Sequence, residues 1–368
     1  MKLLRNLKDL IGGNNMASVV GNTVRKSDMN GGNSINDDSI PAENKADNQI
    51  GRFLLNWAAV IALILSVIAF TIIKGTTFFS SANLTNILRS MSITTILSIA
   101  LTITMAPGGF DMSACTLATF AGYIFMGSYL WYGFSLAMSL VICIAFTMVA
   151  YLLTMFLILF CRIPDMLATC ALMFVHQGLG QWYTGGGAVS AGMRLPNGDA
   201  PVRQGYSETF RSIGSAPAII YIMLACVVFA YVFLEYTKHG RYLYAMGGNK
   251  TAAKLSGINV AKYRFLAGMI TAIIIGIGAV VVCSRNNAAQ IGGCDNYLMP
   301  SFAAVFVGMS VGGASKPNAL GTLIGAALVA ILENGLTMCS VPYYILPAVK
   351  GTVLALALVA AYITRKEE

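Results

Sequence analysis

The sequence predicts an all-α polytopic membrane protein. About ten transmembrane helices are expected, some of them broken or re-entrant, with a short cytoplasmic helix between two spans and an N-in/C-in orientation. Three observations carry this. Of 368 residues, 57% are hydrophobic and only 11% are charged, whereas a soluble domain carries about 25% charged residues. The apolar residues gather into uncharged stretches of roughly 20, the length a helix needs to cross ~30 Å of hydrocarbon. One of them, "FSLAMSLVICIAFTMVAYLLTMFLILFC" (134–161), has no charge in 28 residues. Third, the basic residues cluster in alternate connections.

Residues 1–51 differ from the rest. "NGGNSINDDSIPAENKADNQ" has almost nothing to bury, so a disordered cytoplasmic tail is expected there. The opening "MKLLRNLKDLIGGNN" has too short an apolar core for a cleavable signal peptide. Residues 52–365 read as one transmembrane domain, with spans near 53–73, 86–106, 112–131, 135–160, 165–183, 217–235, 263–283, 299–314, 318–338 and 342–363. The third span follows a glycine-rich break, and the eighth is short for a simple crossing. With the N-terminus in the cytoplasm, 17 of the 24 Lys and Arg residues fall on the cytoplasmic side, as the positive-inside rule requires. The net charge of +9 is thus a matter of membrane orientation and not a sign of nucleic acid binding.

A weak internal repeat relates "MAPGGFDMSACTLATFAG" (105–122) to "MSVGGASKPNALGTLIGA" (309–326). Paired Gly-interrupted segments in two halves of a membrane protein point to a transport pathway. In the first copy, Gly108 and Gly109 break the helix, and Asp111 is an acid in apolar surroundings, which is costly without a partner. Asp111 is read either as part of the pathway, together with Gly108, Gly109 and Ser113, or as a cap on the helix that follows. In "TCALMFVHQGLGQWYTGGG" (169–187), His176, Gln177, Gly180 and Gln181 recur at i and i+4. That small, polar face should point to other helices or to water, with His176, Gln177 and Gln181 either lining a pathway or hydrogen-bonding between helices. Lys350 lies in the last span, and Lys316 marks a cytoplasmic turn.

Catalytic chemistry is missing from the pattern. No phosphate-cradling G-x-x-x-x-G-K-[ST], HExxH or Ser-His-Asp set is present. The eight cysteines form no CxxC or Cys/His spacing, so no metal site is expected. Any energy for transport has to come from another chain or from an ion gradient; Asp111 and Glu333 are the acids a gradient-driven carrier would use.

The polar island "MGGNKTAAKLSGINVAKYR" (246–264) interrupts two apolar runs. Asn249 is a fair N-cap and Gly257 a fair C-cap for a two-turn helix, whose small Ala252 and Ala253 would allow close docking by a partner. "AMGGNKTAAKLSGINVAKYRF" (245–265) resembles the cytoplasmic coupling segment of the permease subunits of sugar-importing ABC transporters. "GGFDMS" (108–113) is similar to that family's G-G-[IF]-D-L-S segment. Residues 302–336 resemble its Gly-rich segment, and "VKGTVLALAL" (349–358) its last helix. The chain departs from the family in continuing the Asp motif as "SAC" and in carrying Met112 for the common Leu.

The resemblance implies a permease subunit in the bacterial plasma (inner) membrane. Two such subunits, identical or paired, would form the pathway. An ABC ATPase subunit would receive the helix marked by Asn249, Ala252, Ala253, Ser256, Gly257 and Ile258. An extracytoplasmic binding protein would deliver a monosaccharide. No cofactor is implied for this chain, since ATP and Mg would be bound by the partner ATPase. Another polar solute, such as a nucleoside, an amino acid or a sugar-derived signal, stays open as cargo.

Overall fold

The computed structural model describes residues 57–311 and 316–342, with 344–345, 347–349, 351–352 and 355. The tail 1–51, Lys350 and most of the expected last span lie outside the described residues.

The described chain is helical apart from one two-residue ladder. Its helices are α1 (Ala58–Lys74), α2 (Ser81–Met105), α3 (Ala114–Met126), α4 (Leu136–Met155), α5 (Asp165–Thr184), α6 (Glu208–Ile213), α7 (Ala218–Tyr231), α8 (Lys238–Gly248), α9 (Lys250–Leu255), α10 (Val260–Asn286), α11 (Leu298–Met309) and α12 (Ala319–Met338). Wider turns extend α3 to Trp131, α4 to Phe160 and α7 to Tyr236. Strands β1 (Val189–Ser190) and β2 (Ala288–Ala289) pair antiparallel. Among the described residues, six stretches are long and apolar enough to cross a membrane: Ala59–Thr77, Ser81–Met105, Leu136–Phe160, Ala218–Tyr236, Val260–Asn286 and Ala319–Met338. The protein is therefore an all-α polytopic membrane protein.

Side-chain chemistry decides which helix is central. α2 is 78% buried over its apolar window, against 11% for α1. Its hydroxyls explain how a polar helix can sit at the centre. Ser98 donates to Thr94 O at 2.6 Å and Thr102 to Ser98 O at 2.8 Å, so each finds an acceptor on the preceding turn. Others bridge helices: Thr102 meets Thr322 of α12 at 2.8 Å, and Thr104 meets Thr271 of α10 at 2.8 Å. Lipid offers such groups no partners, so these contacts hold neighbouring helices together.

Glycine sets the closest approach. A Cβ on Gly325 of α12 would lie 2.1 Å from Ala304 O, so α11 and α12 pack backbone to backbone. The two copies of the repeat have corresponding breaks: α2 ends at Met105 and α11 at Met309, and new helices start at Ala114 and Ala319.

The described connections collect at two ends. At one end, Gly108 lies near Gly247, Phe110 near Asp165, and Lys316 pairs with Glu235. At the other, Val189 pairs with Ala289, Arg203 N donates to Leu130 O, and Gly214 N donates to Ser284 Oγ at 2.7 Å. The break 106–113 thus belongs to the end that carries α8 and α9.

Candidate functional site

The two helices of the island form because each start is capped. Thr237 Oγ1 accepts from Gly240 N at 3.1 Å, and Asn249 Oδ1 accepts from Ala252 N at 2.9 Å. Gly257, at φ +84°, closes the second helix; its amide donates to Lys254 O at 3.1 Å, and Ile258 N donates to Ala253 O at 3.0 Å. The two alanines face different ways. Ala253 is buried against the body of the protein, whereas Ala252, Ser256 and Leu255 are exposed, Leu255 at 84%. Alanine pattern alone could not separate them, because inward and outward faces of a six-residue helix differ by one position. Sequence reading missed Leu255, the large apolar side chain the island presents outward.

The island touches the break directly. A Cβ on Gly247 would lie 2.2 Å from Ala106 O, so only glycine lets α8 rest on the turn after α2. The turn needs its own glycine as well: Gly108 has φ +77°. A second link runs through Asp165 at the start of α5. Its Oδ2 forms an ion pair with Arg264 of α10 and accepts from Phe110 N at 3.3 Å. Beyond it, the Phe110 ring stacks on Phe302 of α11, with centroids 4.6 Å apart and planes 7° apart. A third link joins Glu235, at the end of α7, to the second copy. Lys316 Nζ lies 3.3 Å from Glu235 Oε2 and 4.0 Å from the Tyr244 ring centre, and the Tyr244 hydroxyl donates to Glu235 Oε1 at 3.0 Å. Burial and the neighbouring Glu235 carboxylate raise the Tyr244 phenol above its ordinary range, so it stays protonated and donates.

Asp111 lies inside this turn, buried at 1% exposure. Its Oδ1 accepts from both Ser113 N and Ser113 Oγ at 2.8 Å, just before α3, and its Oδ2 accepts from the Tyr151 hydroxyl of α4 at 2.9 Å. Tyr151 also reaches Thr104, 3.4 Å away. One carboxylate therefore ties the entry of α3 to α2 and α4. Tyr151 is the partner that sequence spacing could not supply.

The polar face of α5 lies elsewhere. Gly180 lets α5 approach α3 closely, since a Cβ there would lie 3.0 Å from the Tyr123 ring. His176, Gln177 and Gln181 line a small nook with Thr116, Thr119 and Asp295. Thr119 donates to Asp295 Oδ1 at 2.6 Å, and His176 is buried with its Nδ1 unpartnered. The nook has room for no more than about one water, while Gln177 and Gln181 also open to the outside of the chain. The structure thus brings Gly108, Gly109, Asp111 and Ser113 together at the break, and His176, Gln177 and Gln181 at a separate nook. Among the described residues, no group of three or more His, Cys, Asp or Glu side chains could hold a metal ion.

The fold is a bundle of membrane helices with a glycine-containing break, a capped helix resting on it and a polar nook between α3 and α5, and comparison with known proteins shows its class. The chain belongs to the family described as "Branched-chain amino acid transport system / permease component", which matches residues 83–362. It is 30% identical over 329 residues to the ribose import permease protein RbsC of Haemophilus influenzae, covering 86% of this chain and 97% of that protein. It is 24% identical over 353 residues to the xylose transport system permease protein XylH of the same organism, covering 81% and 93%. The fructose import permease protein FrcC of Rhizobium meliloti is 27% identical over 285 residues, covering 76% and 77%. The protein is a multi-pass membrane transport component.

Proposed function

We propose that this chain is the membrane-spanning permease subunit of an ATP-driven ABC importer in the bacterial plasma (inner) membrane, forming the pathway for a monosaccharide. Ten spans with both termini in the cytoplasm accommodate the two ends: 106–113, 161–164, 237–259 and 316–318 inside, 185–217 and 287–297 outside. ATP and Mg are bound by a separate ATPase subunit, and this chain holds no cofactor of its own. A second permease subunit faces the exposed side of α5, and a binding protein delivers the sugar to the outer loops.

The contact of Gly247 with Ala106 O carries this reading. A partner that grips Ala252, Leu255 and Ser256 moves α9 and α8. That movement bears on the break through Gly247, on α5 through Arg264 and Asp165, and on α11 through Phe110 and Phe302. Opening α5 against α3 would widen the nook around His176, Gln177 and Gln181. The family description allows an amino acid as cargo, whereas the relatives RbsC, XylH and FrcC are named as permeases for ribose, xylose and fructose, which favours a sugar.

The test is co-purification of the tagged chain with its ATPase, alongside ATP-driven uptake of ribose and of leucine into vesicles with the cognate binding protein. Wild type should retain the ATPase and accumulate the sugar. Leu255→Asp should lose the ATPase while still inserting. A wild type that retains no ATPase, or that accumulates leucine and not sugar, would overturn the reading at the corresponding step.

A further inference from the structure

Beside α9 lies a cleft of about 940 Å³, with the Asp165–Arg264 pair of the coupling route in one part of its lining. It lies between the α4–α5 turn and the start of α10, lined on its apolar side by Ile158, Leu159 and Ile163. Four cations line it: Arg162, Lys250, Lys254 and Arg264. The one acid in the lining, Asp165, is already paired with Arg264. The other three cations make no ion pair among the described residues. Arg162 takes φ +57° in the left-handed turn that closes α4, where Ile163 N donates to Leu157 O at 3.1 Å.

The apolar lining of the cleft, Ile158 and Leu159, belongs to the same end of α4 as two aromatic side chains exposed among the described residues. Phe156 and Phe160, at the end of α4, are 49% and 77% exposed and stack at 5.1 Å. A ligand here meets hydrocarbon on one side and three uncompensated positive charges on the other. We propose that this cleft binds the headgroup of an anionic phospholipid, the phosphate among Arg162, Lys250 and Lys254 and an acyl chain along the apolar end of α4. Basic pockets beside spans on the cytoplasmic side suit such headgroups. The site shares Gly257 and Ile258 with the expected docking segment but leaves Ala252, Leu255 and Ser256, the exposed face of α9, outside its lining. It requires only that the chain spans a membrane, whatever it carries.

The test is native mass spectrometry of the full-length chain released from nanodiscs of equal phosphatidylglycerol and phosphatidylcholine. Wild type should retain phosphatidylglycerol selectively. The triple variant R162Q/K250Q/K254Q should bind it on the order of a hundredfold more weakly, since each cation near an anionic surface is worth about a fivefold change in affinity. Neutralising Lys74, Arg194 and Arg211 instead should change nothing. Equal retention of the two lipids, equal retention by the triple variant, or displacement by millimolar inorganic phosphate would overturn the assignment. So would loss of the lipid when the ATPase is added, which would give the cleft to that partner. If the triple variant unfolds, the single changes decide: Arg162→Lys should keep wild-type affinity and Arg162→Gln weaken it about fivefold, and equal weakening by both would refute the charge-based site.

Discussion

At the scale of single residues, the molecule rests on polar groups that satisfy one another away from water. Asp111 is the clearest case, because Tyr151 and Ser113 together supply its hydrogen bonds. Tyr151→Phe leaves the ring in place and removes one donor to a buried carboxylate. It should cost about 1.5–3 kcal/mol, read as a lower thermal midpoint in detergent. Asp111→Asn should be milder than Asp111→Leu, which strands the Ser113 and Tyr151 donors. Gly247 and Gly248 give a sharper contrast. A Cβ on Gly247 would strike Ala106 O at 2.2 Å, while one on Gly248 meets nothing within 4 Å. Gly247→Ala should lower ATP-driven uptake at least about tenfold while the ATPase still co-purifies, and Gly248→Ala should leave uptake unchanged. Sequence reading identified Asp111 as an acid needing a partner, because an acid in an apolar run is conspicuous. It could not find Tyr151, 40 positions away, because nothing local marks a tyrosine in an apolar span as a donor.

At the scale of elements, close helix approach and capping explain most of the architecture. A Cβ added to Gly325 would strike Ala304 O, whereas one added to Gly178 on α5 would meet nothing within 4 Å. Gly325→Ala should therefore force α11 and α12 apart and cost about 1–3 kcal/mol. Gly178→Ala should be neutral or mildly stabilising, since alanine is the better helix former. Thermal unfolding of the two variants side by side checks both. The α9 helix was legible from Asn249 and Gly257, because capping is local chemistry. Which face it buries was not: Ala253 packs inward and Leu255 is left outside, a choice made by where α10 and the α4–α5 turn happen to lie. Changing both Ala252 and Ala253 to Arg would mix a docking defect with a folding defect, because Ala253 is buried and Ala252 exposed. Leu255→Asp acts on the exposed face alone, and should abolish ATPase recovery without lowering the thermal midpoint.

At the scale of the whole molecule, the two ends differ in chemistry. One gathers the break, α8, α9 and the Glu235–Lys316 pair. The other gathers the paired strands and the loop carrying Arg194, Asp199 and Arg203. With Cys161 replaced by Ser, a membrane-impermeant maleimide should label Leu255→Cys only from the cytoplasmic side and Asp199→Cys only from outside. The reverse pattern would invert the orientation, and labelling of both from one side would break the topology.

That this protein is a permease came from its resemblance to a family; by itself the sequence determined that it is a helical membrane protein with a capped island and two glycine breaks. Those properties are read from composition, from stretches long enough to span hydrocarbon and from local capping rules, all of which act within about 20 residues. Only the tertiary structure decided that the island rests on the first break, that Asp165 joins Arg264 to Phe110, and that Phe110 meets Phe302. Each of those contacts joins residues far apart in the chain. In a bundle where nearly every face is apolar, hydrophobicity does not specify which helices meet. Close packing of glycines and pairing of scattered polar groups does.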